Sequence, residues 1–98
     1  MKLAVLVSDF RNMEDTLSRL KADTLGIILV SNGVYHAKMK ENGKQSSVLE
    51  KSSHLYVLSE DMQTRGFSEN EIDSRVKAVT YNDLVDLIFT EYEKIIWI

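Results

Sequence analysis

The sequence predicts an α/β domain built on a mostly parallel sheet with helices on both faces. Three observations predict it. Five short apolar runs, at 3–7, 25–30, 55–58, 76–79 and 95–98, recur along 98 residues. They lack the polar alternation of a half-exposed strand, so each suits a strand covered on both faces. Helical patterns occupy the gaps, and strands alternating with helices in one small chain are the mark of parallel crossover units.

Each element has its own warrant. The run Leu3-Ala4-Val5-Leu6-Val7 is closed by Ser8-Asp9. Met13, Leu17 and Leu20 then recur at helical spacing, with Asn12 and Asp15 placed to cap. The second run ends in Ser31-Asn32-Gly33, and the polar stretch 38–53 reads as a long surface connection with a short helix around Val48. The third run ends in Ser59-Glu60-Asp61. Two short helical turns fit 59–65 and 68–73, and Gly66 stands where a helix C-terminal glycine belongs. After the weaker fourth run comes the best helix, about 81–92. Tyr81, Leu84, Val85, Ile88 and Tyr92 form its apolar stripe, and Thr80 with Asp83 has capping-box spacing. The final run contains Trp97, read as a core anchor.

The length fits one domain, 1–98, with no internal repeat, low-complexity tract or internal boundary. Apolar residues make up 44% and charged residues 28%, as in ordinary globular chains. The net charge of -3 and the lack of a basic stripe argue against nucleic-acid binding. Lys38, Lys40 and Lys44 are interrupted by Glu41 and read as a solvated connection. No apolar run approaches the roughly 18 residues of a membrane span, and the opening run is too short for a signal peptide. There is no cysteine, which removes thiolate, disulfide and zinc-finger chemistry and is compatible with a reducing cytoplasm.

Ligands of open α/β sheets bind beyond the carboxyl ends of the strands. Asp9, Asn32, Ser59, Glu60 and Tyr81 all fall there, and Gly33 would let a helix start approach a ligand closely. The same residue types also cap helices and form turns, which is the plainer explanation for any one of them. No glycine-rich phosphate loop accompanies Gly33. A hydrolytic triad would need Ser8, Ser31 or Ser59 beside a histidine. His54 falls at the wrong end of its strand, and His36 reads as a partly exposed helix histidine near the carboxyl edge. Asp9 and Asp61 resemble a receiver-type acidic pair, but Lys94 precedes the last strand instead of following it. Two histidines without cysteine argue against a transition-metal site, and no cofactor is expected.

Several ordered stretches are similar to the DsrH/TusB family of sulfur-relay subunits, within the wider DsrE-like fold. Ser31-Asn32-Gly33-Val34-Tyr35 resembles the family's glycine–valine turn after its second strand. Leu55-Tyr56-Val57-Leu58-Ser59-Glu60-Asp61-Met62-Gln63-Thr64-Arg65-Gly66-Phe67 resembles its strand, acidic turn and helix end. Thr80-Tyr81-Asn82-Asp83-Leu84-Val85-Asp86-Leu87 resembles its penultimate strand-to-helix junction, and Lys94-Ile95-Ile96-Trp97 its last strand.

The resemblance implies a three-layer α/β/α domain with a five-stranded sheet. It implies a place beside DsrE/TusD-like and DsrF/TusC-like partners in the cytoplasm. There a persulfide moves either toward 2-thiouridine at the tRNA wobble position or through intracellular sulfur oxidation. Some family members carry a cysteine near the first helix, and this chain has none to match it. Persulfide transfer requires a thiolate, and the thioethers of Met13, Met39 and Met62 cannot replace one. The expected role is therefore a non-catalytic assembly subunit rather than an enzyme. Tyr35, Phe67, Trp97 and Ile98 are its candidate contacts, because aromatic residues are enriched at interface centres, although core positions also explain them. The alternative is a stand-alone homo-oligomer that binds a small ligand at the carboxyl edge; a Ser/His36 hydrolase ranks last.

Overall fold

A computed structural model of the protein describes residues 2–8, 19–20, 23–38, 49 and 52–98. The five strands are β1 (Lys2–Val7), β2 (Thr24–Leu29), β3 (His54–Leu58), β4 (Val76–Val79) and β5 (Lys94–Trp97). They form one sheet in the order β4-β3-β2-β1-β5, and every neighbouring pair is parallel. The described helices are α1 (Ser59–Thr64) and α2 (Tyr81–Glu91), with 3₁₀ helices at Ser31–His36 and Glu69–Glu71. The expected helix over Met13, Leu17 and Leu20 and the expected turn around Val48 lie outside the described residues.

The strand order explains the layers. From β1 to β4 the chain steps one way across the sheet, and from β4 it returns past β1 to add β5. Right-handed crossovers place the return helix on the opposite face from the others. The two apolar clusters show this division. Leu3, Val5, Val7, Ile27, Leu29 and Val57 pack with Val34 of the first 3₁₀ helix and with Met62 of α1. Ala4, Leu6, Ile28, Val30 and Val79 pack with Leu84 of α2. Alternate residues of one strand thus enter different cores, and this is why the runs are apolar throughout.

Local chemistry sets the helix ends. Thr80 caps α2: its Oγ1 accepts the Asp83 N–H at 3.2 Å. Gly66 ends α1 with φ of 81°, a conformation glycine adopts without cost. Its N–H donates to the Gln63 carbonyl at 3.0 Å and that of Phe67 to the Met62 carbonyl at 3.3 Å. This is a Schellman closure, with Phe67 and Met62 sharing one apolar cluster. Buried Asp73 anchors the approach to β4. Its carboxylate accepts from the Arg75 guanidinium at 3.1 Å, which holds its pKa below the ordinary aspartate value.

Three expectations shift. Trp97 is 66% exposed instead of anchoring the core, because β5 is an edge strand of the sheet. Tyr81 is also exposed, since the first turn of α2 begins beyond the strand ends. His36 is buried, not partly exposed. In a 3₁₀ helix residues three apart stack in one column, so His36 turns inward with Gly33.

Candidate functional site

The carboxyl edge of the sheet is laced from one side to the other. At the β5 end, Ser8 Oγ donates to the Ile98 carbonyl at 2.9 Å and accepts from Trp97 Nε1 at 3.2 Å. Next to it, Gly33 sits against the last carbonyl of β1. A Cβ on Gly33 would lie 1.9 Å from Val7 O, and the same oxygen accepts the Val30 N–H at 3.0 Å. Only glycine permits this approach of two backbones.

Ser31 carries the next link. Its φ of 51° is left-handed, a costly conformation for a residue with a side chain. The conformation aims its N–H at Asp61 Oδ2 at 2.6 Å, a charge-assisted bond from α1. Arg65, one turn after Asp61, returns across the same gap. Its Nε donates to Asn32 Oδ1 at 3.1 Å, Nη2 to Ser31 Oγ at 3.3 Å, and Nη1 to the Asp61 carbonyl at 3.2 Å. Glu60 completes the lacing. Its carboxylate accepts the Tyr81 N–H at 3.0 and 3.1 Å and the Ser59 hydroxyl at 3.2 Å. The Tyr81 N–H, at the positive end of α2, holds the Glu60 carboxyl below the ordinary glutamate value.

Five of the expected edge residues therefore meet in one region. Asn32, Gly33, Ser59, Glu60 and Tyr81 belong to the lacing, while Asp9 lies outside the described residues. Glu60 fills the N-terminus of α2 with a carboxylate of its own chain, where a bound anion would otherwise sit. The hydroxyls of Ser8, Ser31 and Ser59 have partners that are not histidines. His54 is at the opposite end of the sheet, as expected. Reasoning from sequence missed Arg65 as the central cation, although its i, i+4 spacing from Asp61 is a visible signal.

The other end of the sheet is open. Lys2, Thr24, His54, Tyr56, Leu87, Glu91 and Tyr92 line a cleft of about 280 Å³ beneath the last turn of α2. Tyr92 lies over Gly26, where a Cβ would stand 2.1 Å from its phenol oxygen. Burial, and then the neighbouring Tyr56, push the Tyr92 phenol up to about 12.

Of the candidate contact residues, Phe67 is buried and its ring lies 5.8 Å from that of half-buried Tyr35. Lys38 Nζ stands 5.5 Å from the Phe67 ring centroid. Ile98 is half-buried, and Trp97 is exposed.

A parallel five-stranded sheet of this order, closed along its carboxyl edge by its own side chains, defines a small three-layer α/β/α protein without a catalytic constellation among the described residues. The family model described as DsrH like protein matches residues 7–94, and the chain belongs to that family. Protein TusB of Photorhabdus laumondii is 26% identical over 83 residues, covering 85% of each chain. Two solved structures share the fold. Tm0979 of Thermotoga maritima superposes with a TM-score of 0.61 at 24% identity, covering 90% of this chain and 93% of its own. MTH1491 of Methanobacterium thermoautotrophicum, a protein of unknown function, gives 0.67 at 12% identity over 99% and 98%. Among the described residues no helix is long and apolar enough to cross a membrane.

Proposed function

We propose that the protein is a non-catalytic subunit of a TusBCD/DsrEFH-type sulfur relay. In this role it positions a cysteine-bearing DsrE/TusD-like chain beside a DsrF/TusC-like chain during persulfide transfer. The observation that carries the reading is the family match over residues 7–94 in a chain with no cysteine. Transfer of sulfane sulfur needs an attacking thiolate, so a cysteine-free member contributes surface and not a covalent stop. The internally satisfied carboxyl edge supports this: its carboxylates and hydroxyls serve the fold, which favours assembly over small-ligand binding. The relative named TusB favours tRNA wobble-uridine 2-thiolation over sulfur oxidation as the pathway. A cytoplasmic location follows from that pathway.

The test is co-expression with cysteine-bearing DsrE- and DsrF-like chains from the same source. A stable hetero-complex, and loss of 2-thiouridine from tRNA when this chain is deleted, are the expected results. A chain that ignores both partners, with unchanged thiolation on deletion, overturns the reading.

A further inference from the structure

The two edges of the sheet are guarded differently. At one edge, β4 carries the exposed Lys77 in mid-strand, and a charge there opposes pairing with another strand. At the other, β5 pairs among the described residues with β1 alone, and after Lys94 it reads Ile95, Ile96, Trp97, followed by Ile98. It has no proline, and its one charge is at the start.

The backbone and the side chains of β5 point to the same two residues. Ile98 turns both its N–H and its C=O toward β1, bonding the Leu6 carbonyl at 2.9 Å and the Ser8 N–H at 3.0 Å. In a parallel ladder this orientation alternates, so Ile95 and Trp97 present their N–H and C=O outward. Their register with Ala4 and Leu6 places their side chains on the α2 face of the sheet. There Ile95 is 52% exposed and Trp97 66%. Phe89 of α2, 82% exposed, lies on the helix flank toward β5, because Asp83, Asp86 and Thr90 occupy the flank toward Lys77 of β4. The acids of the helix itself thus face one edge, and its flank toward the other edge is free of charge.

We infer that the β5 edge takes the same edge of a second copy of this chain, antiparallel, with Ile96 opposite Ile96 across a two-fold axis. Ile95 and Trp97 of one copy then exchange backbone hydrogen bonds with Trp97 and Ile95 of the other. This register satisfies both outward pairs and sets Ile95, Ile96 and Trp97 only against one another, with Lys94 opposite Ile98 at either end of the seam. The axis is perpendicular to the sheet, so both Phe89 rings border one apolar strip. Charge separation permits this pairing, since Asp83 and Asp86 of both copies stay on the outer flanks. The area sets its strength. Trp97, Phe89 and Ile95 expose roughly 400 Å² per copy, using about 150–250 Å² for a whole aromatic side chain. Two copies bury about 800 Å² of side chain plus the paired edge, below the roughly 1,200 Å² of a lasting complex. An area of this size belongs to weak, reversible complexes, so the dimer forms as concentration rises.

This inference does not depend on the sulfur-relay reading, and its test needs no partner chain. Sedimentation velocity from a few micromolar to several hundred micromolar should show the mass rising from 11.2 kDa toward twice that value. Trp97 is the only tryptophan, so its emission should move to shorter wavelength over the same range. Ile95→Lys should raise the dissociation constant at least tenfold and Lys77→Glu should leave it unchanged. If Ile95→Lys disturbs folding, Phe89→Lys tests the strip from the helix side. The register has its own probe, because the chain has no other thiol. With diamide as oxidant, Ile96→Cys should form a disulfide-linked dimer and Ile95→Cys should not. A chain that stays monomeric throughout, a dimer indifferent to both lysine variants, or cross-linking through Ile95→Cys instead of Ile96→Cys overturns the proposal. So does a monomer that pairs through this edge only with a different protein.

Discussion

The two ends of the sheet solve the same problem with different materials. At the carboxyl end, where α/β proteins usually receive ligands, backbone meets backbone at Gly33 and Val7, and ionised side chains bind N–H groups at Ser31 and Tyr81. At the amino end, backbone meets a side chain: Tyr92 covers Gly26 beside an open cleft. A backbone contact cannot yield without moving a strand, whereas a tyrosine can rotate into free space. The carboxyl end should therefore be brittle and the amino end forgiving.

Gly33→Ala should break the comparison most severely. The added Cβ would meet Val7 O at 1.9 Å and Val7 C at 2.7 Å, so β1 or the 3₁₀ helix must shift. A loss of about 3 kcal/mol or more is expected, at the upper end of overpacking costs. Urea denaturation measures it; a loss under about 1 kcal/mol would mean that the carboxyl end is not brittle.

Asp61→Ala comes next. It removes the acceptor that holds Ser31 at φ of 51° and should cost about 2 kcal/mol, the scale for a hydrogen bond to a charged group. Ser31→Gly separates the bond from the strain, since glycine adopts that φ freely. In the Ser31→Gly background the Asp61→Ala loss should shrink. Equal losses in both backgrounds would show that the carboxylate does not stabilise the strained residue.

Gly26→Ala is the matching change at the amino end. The three atoms nearest its Cβ would all belong to the Tyr92 ring, the phenol oxygen first at 2.1 Å. The ring can swing into the adjoining cleft, so about 1 kcal/mol is expected. A loss as large as that of Gly33→Ala would erase the distinction between the two ends.

How much of this was legible beforehand depends on the range of the interaction. The strands and α2 were visible because burial on both faces and a helical stripe are local patterns, and Gly66 was visible because a helix end needs a left-handed residue. The gathering of Asn32, Gly33, Ser59, Glu60 and Tyr81 at one edge followed from strand direction alone. The use made of them did not. Arg65 reaches Asn32 and Ser31 across more than thirty residues, and no local pattern marks a pair that only tertiary structure creates. Trp97 was misplaced for a related reason. An apolar run shows that a strand is buried somewhere, but not which strand ends at the edge, and Ile95 and Trp97 are exposed because β5 lies there.

The smallest expected effects appear only when pH is varied, and the two ends respond at opposite limits. The folded-state pKa of Glu60 lies below the ordinary glutamate value of 4.5, because the Tyr81 N–H favours the carboxylate. Its contribution is present above the unfolded value and is lost as pH falls through the folded one. Tyr92 has the opposite sign. Its phenol is raised from 10.0 to about 12, chiefly by burial, so the neutral ring is the form the fold prefers. That contribution is complete below pH 10 and is lost as pH rises through about 12. Glu60→Gln should thus make the acid limb of a urea-midpoint profile slightly shallower between pH 2 and 5, the remainder belonging to Asp73, and leave the alkaline limb intact. Tyr92→Phe should flatten the alkaline limb between pH 10 and 12 and leave the acid limb intact. A profile in which either variant alters both limbs would show that the two ends are not energetically separate, and one in which a variant alters neither would show that its group adds nothing to the pH dependence. Clean separation would mean that the carboxyl end is held by charge and the amino end by exclusion of charge.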